Sequence, residues 1–153
     1  MTKTKFKYYI EKSPHKLAEI IKSGEIDFTI LVSYISEINV PPLIKIAMLI
    51  HPKCTLKIFD LYYWFVIQKI GDSAVYDILQ NAPILNDLKA IAIVMNSEES
   101  SIVALSKNIH IWTKHMMYLM KNQYVSDEIK MMFYETTGNI EYLPVNAKDI
   151  FIF

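Results

Sequence analysis

Three histidines and the single cysteine could in principle enclose a metal, and they fall into two pairs. His51 and Cys54 are two residues apart, in His-Pro-Lys-Cys, and His110 and His115 lie further along. Three imidazoles and a thiolate are a sufficient donor set for zinc. The spacings argue against it. Five residues along a helix is a rotation of about 140°, so His110 and His115 point apart, and no second cysteine completes a ligand pattern. On this reading His51 is a corner residue and Cys54 a small buried filler. A catalytic role for Cys54 needs a base beside it and a lowered thiol pKa. Its position near a helix start would lower the pKa, but no base or orienting carboxylate is placed by the sequence. No G-x-S-x-G, H-E-x-x-H, P-loop or G-x-G-x-x-G is present. The expectation is a protein that is not an enzyme and carries no metal or cofactor.

A second chemistry is electrostatic. Lys107, His110, Lys114, Tyr118 and Lys121 follow one another at spacings of three, four, four and three, which puts them on one helix face. The first dozen residues add Lys3, Lys5, Lys7 and Lys12. Lysines interleaved with tyrosines can hold a nucleic-acid backbone by counterion release and stack its bases. The bland alternative is a solvated helix face, and the formal net charge of zero favours it. All the basic residues are lysine, with no arginine. The planar two-pronged grip on phosphate is therefore missing, which disfavours base-specific DNA reading and phosphoryl transfer. An AT-rich genome, as in many viruses and phages, explains the bias.

These residues must be positioned by elements the hydropathy pattern supplies. The chain has 153 residues, enough for one domain with a real core, and 52% are hydrophobic. Apolar positions recur at helical spacing almost throughout. Helices are expected over 14–23, 26–37, 41–50, 53–70, 73–80, 84–95, 98–107, 108–122 and 127–136. Ser13-Pro14 marks the first start, Gly24 and Gly138 mark stops, and Ser126 is an N-cap. The 53–70 helix is apolar on nearly every side. Leu56, Phe59, Tyr63, Val66, Ile67 and Ile70 form one face, and Ile58, Tyr62 and Phe65 a second. A stripe of Lys57, Asp60, Leu61, Trp64 and Gln68 is left over. Such a helix must be wrapped by others. Residues 1–13 alternate as a short edge strand would, and the tail 139–153 alternates again, so the termini are expected to pair as a small β ribbon. Ile46-Ala47 and Ile91-Ala92, 45 residues apart, faintly echo helical-hairpin repeats.

The expected architecture is therefore all-α: one domain of eight or nine short helices, packed as hairpins around a buried helix 53–70. No window is long and apolar enough to span a membrane, no signal peptide is evident, and one cysteine forms no internal disulfide. A cytoplasmic location is expected, the host's if the source is viral. A membrane-surface role ranks below nucleic acid, because the apolar faces look committed to the core. The expected role is regulatory: docking on a larger protein through apolar and aromatic surface, with Trp64, Tyr118, Phe151 and Phe153 as contacts. A nucleic-acid accessory using Lys107, His110, Lys114 and Lys121 is one rival, and a self-assembling structural protein the other.

Overall fold

Proline and glycine divide the first half of the chain into short segments, and each boundary has a visible cause. The computed structural model describes residues 1–98, 100–101, 104–105 and 113–143, with side chains for all of these except 113 and 114. Nine α-helices run through the described residues: α1 Lys3–Lys12, α2 Pro14–Ser23, α3 Phe28–Glu37, α4 Pro42–Ile50, α5 Leu56–Ile70, α6 Asp72–Asn81, α7 Leu88–Val94, α8 Thr113–Met120 and α9 Asp127–Thr137. Two 3-10 turns, Pro83–Asn86 and Ile140–Tyr142, join them. The fold is all-α, as expected, and no strand occurs among the described residues.

The N-terminal segment is the first departure. Residues 3–12 form a helix, not an edge strand. Thr2 caps it by accepting the Lys5 N–H. The alternation of Phe6, Tyr8 and Ile10 suits a strand, but Phe6, Tyr9 and Ile10 also sit three and four apart. That second period places Phe6 in the core, 5.3 Å from the ring of Tyr34 in α3. The Tyr34 hydroxyl donates to the carbonyl of Met1, and Lys3 forms an ion pair with Glu37. That contact, a hydrogen bond first and a charge attraction second, holds the Glu37 carboxyl below its ordinary pKa. A helical N-terminus has no strand to offer, so the expected β ribbon does not form there; its other half, 144–153, lies outside the described residues.

Burial also falls differently along the long hairpin. Ile44, Ile46, Ala47, Met48, Leu49 and Ile50 are all buried, so α4 is covered on nearly every side. It packs against α2, α3, α5 and α6. The helix expected at the centre, α5, buries only Phe59, Tyr63 and Val66. It begins at Leu56, not at Lys53, because Thr55 caps it by accepting the Ile58 N–H. The helix expected over 84–95 divides into the 3-10 turn and α7, where Asp87 caps by accepting the Lys89 N–H. The buried apolar residues of these helices form one continuous cluster.

A fully covered helix needs its chain ends satisfied inside the protein. At the end of α4, His51 is 1% exposed. Its Nε2 lies 2.7 Å from the carbonyl of Ile26, and its Nδ1 accepts the Lys53 N–H at 2.9 Å. Accepting at Nδ1 leaves Nε2 to carry the proton and donate. One ring thus ties the α2–α3 connection to the corner before α5. Gly24 makes the same junction tight: its φ is +84°, and a Cβ there would sit 3.2 Å from Pro52 Cγ. Asn122 plays the matching part in the second half. Its Nδ2 donates to the carbonyls of Leu79 and Ala82, and its Oδ1 accepts the Tyr124 N–H.

Removing the ring strands both groups it satisfies. We expect His51→Ala to lower unfolding free energy by about 2–4 kcal/mol, measured by urea denaturation.

Candidate functional site: the outer face of helix α5

Of the reactive residues singled out in the sequence, His51, Cys54 and His115 lie among the described residues. His51 is structural. Cys54 is half-buried; its thiol donates to the carbonyl of Thr55, and burial pushes its pKa up to about 12. The lowering expected from a helix start is overturned: Cys54 precedes the cap, and desolvation of the thiolate dominates. His115 lies 5.7 Å from the ring of Tyr76. Among the described residues no three His, Cys, Asp or Glu side chains gather as a metal site, and no helix is long and apolar enough to cross a membrane.

The aromatic contacts proposed from sequence have internal work. Trp64 is half-buried. Its indole N–H donates to the carbonyl of Ile93 in α7 at 3.1 Å, and its ring meets Tyr63 edge-on. Tyr63 is buried, which raises its hydroxyl pKa. Tyr118 stacks on Tyr76 of α6 with centroids 4.1 Å apart, and Lys121 lies over the Tyr118 ring at 5.2 Å. These contacts close α5 on α7 and α6 on α8. Lys114 lies in α8, and Lys107, His110, Phe151 and Phe153 lie outside the described residues.

What the fold leaves uncovered is on α5. Leu61 is 65% exposed and Phe65 43% exposed. They are one turn apart, about 40° around the helix. Half-buried Ile58 and Tyr62 flank them on the same side, while Phe59, Tyr63 and Val66 point inward about 100° or more away. The exposed ring is held. The ammonium groups of Lys45 from α4 and Lys69 from α5 lie 4.8 and 4.7 Å from the Phe65 centroid. Each such contact contributes about 0.5–1 kcal/mol at an exposed position. The remaining large exposed apolar residues, such as Tyr8, Ile30 and Met117, lie outside α5.

The sequence carried this feature in divided form. Leu61 fell into the polar stripe and Phe65 into a second apolar face, so the pair was not read as one surface. Lys57, Leu61, Phe65 and Lys69 stand at strict intervals of four, and that spacing is the signal that joins them.

No protein-family model, curated protein or solved structure matches this chain.

Trp64 and Leu61 respond oppositely to truncation. Trp64→Ala removes a packed ring and a hydrogen bond and costs about 2–3 kcal/mol, whereas Leu61→Ala changes stability by less than ~0.5 kcal/mol; thermal melts compare the two. Iodoacetamide at pH 8 should label Cys54 in the folded chain at least ~100-fold more slowly than in the denatured chain, because almost no thiolate is present.

Proposed function

We propose that this protein is a non-enzymatic docking module, whose regulatory role is exerted by engaging a larger protein through the outer face of α5. The observation that carries this reading is the Leu61–Phe65 ridge. A half-clamped phenylalanine, an aromatic of the kind enriched at interface cores, stands there beside a largely exposed leucine. It offers apolar area without a large entropy loss on binding, because two ammonium groups already restrain the ring. Cys54, the chain's single thiol, is half-buried with its pKa pushed up to about 12, which supports a binding role over nucleophilic chemistry.

A second reading, nucleic-acid binding, is supported by α1. Lys5, Lys7, Lys12 and Tyr8 are exposed there, and Lys16 of α2 lies over Tyr9. Lys3 is engaged by Glu37. The zero net charge places this reading second.

Affinity capture from the native cell tests the first reading. The double variant Leu61→Glu/Phe65→Glu should fold normally by circular dichroism and lose the captured protein, with at least ~30-fold weaker binding. Unchanged capture would remove α5 as the docking face. Salt-sensitive binding of single-stranded DNA that Lys5→Glu/Lys12→Glu weakens would favour the second reading instead.

A further inference from the structure

The ridge has a charge pattern that selects its occupant. Along α5 the row reads Lys57, Leu61, Phe65, Lys69, each one turn beyond the last. Lys45 comes in from α4 beside Phe65. Three ammonium groups therefore surround two exposed apolar side chains. The acidic residue that α5 itself carries is Asp60, about 100° from Leu61 and so at the edge of the surface. At the Lys57 end Asp60 and Glu98 line a hollow together with Lys57 and Lys89, whereas at the Phe65 end the charged groups over the ring are Lys45 and Lys69.

This pattern also argues against a second copy of the chain. A symmetric pair is related by a two-fold axis, and two placements of it set both apolar side chains of one copy against apolar side chains of the other. With the two α5 helices antiparallel and the axis between Leu61 and Phe65, Leu61 of one copy meets Phe65 of the other. Lys57 then meets Lys69 twice over. With the helices parallel, Lys57 meets Lys57 and Lys69 meets Lys69. Apolar contact is satisfied in both arrangements, and lysine opposes lysine in both. Like charges placed face to face in an interface are costly.

We infer that the α5 ridge takes an amphipathic helix of another protein, one whose apolar stripe packs on Leu61 and Phe65 and whose flanks carry acidic residues that face Lys45, Lys57 and Lys69. Such a helix laid along α5 meets lysine at both ends of the apolar contact. Its carboxylates approach ammonium groups whose ring contacts already fix two of them. Helix-on-helix docking of this kind reads anchors at intervals of three and four, the spacing the ridge itself has. The inference rests on the docking role proposed above and specifies its partner.

Two synthetic helical peptides with one apolar stripe test it, the first with glutamate flanks and the second with lysine flanks. Each is titrated into the full chain and followed by fluorescence anisotropy. The glutamate peptide should bind about tenfold or more tightly than the lysine peptide at low salt, and the gap should narrow at high salt. In Lys45→Glu/Lys69→Glu the preference should reverse, and Phe65→Glu should remove binding of either peptide. Equal affinity for both peptides, or binding of neither, would overturn the inference. So would a dimer in sedimentation velocity that Phe65→Glu dissolves, because the ridge would then be occupied by a second copy. A failure here together with loss of cellular capture in Leu61→Glu/Phe65→Glu leaves the docking role standing and removes only the acidic partner.

Discussion

The arrangement of the first half depends on a single imidazole in a dry place. His51 ends the most deeply buried helix, and both of its ring nitrogens are engaged. A buried polar ring is tolerated because it satisfies two backbone groups that would otherwise face apolar surroundings. It also fixes direction. The carbonyl of Ile26 belongs to the connection between α2 and α3, and the N–H of Lys53 to the turn before α5. The angle at which α5 leaves α4 is thereby set against α2 and α3. Packing of apolar side chains tolerates many crossing angles; two directed hydrogen bonds on one rigid ring tolerate few.

That geometry explains why α5 keeps an uncovered face. With α4 beneath it and α6 and α7 alongside, α5 has contacts enough for Phe59, Tyr63, Val66 and, at the margin, Trp64. On the opposite side Leu61 and Phe65 stay largely exposed, with Lys45 of α4 reaching over the Phe65 ring. A helix apolar on two faces is normally sandwiched, and here one face is left for something else. The two cations that hold Phe65 reduce the cost of showing a ring to water, since each ammonium is partly satisfied by the π-face.

Much of this was legible in the chain. Proline, glycine and hydroxyl caps placed α2, α3, α4, α6 and α9 within two residues at each end. Those signals are local, and the structure uses them nearly unchanged: Ser126 caps α9 and Gly138 ends it. The failures came where two periods coexist or where partners are distant. Residues 3–12 fit a strand and a helix equally by pattern, and only the pocket for Phe6 against Tyr34 decides between them. Apolar content made α5 seem more buried than α4, although α5 is longer and α4 more completely surrounded. Composition along a helix does not reveal how many neighbours it has. The role of Trp64 depended on the Ile93 carbonyl, 29 residues away, and nothing local announces such a bond.

Asn122 has a consequence for the order in which the molecule is completed. Its amide supplies two carbonyls at the end of α6, Leu79 and Ala82, from about forty positions further along the chain. During synthesis from the N-terminus, α1 to α5 emerge with His51 and both of its backbone partners already made, so that junction can close at once. The end of α6 cannot. Until residue 122 leaves the ribosome, the Leu79 carbonyl lacks its Asn122 donor, the Ala82 carbonyl keeps the Leu85 N–H alone, and the surface of α6 that α8 covers stays open. The chain therefore has an early junction at His51 and a later one at Asn122, and the second waits until that asparagine arrives.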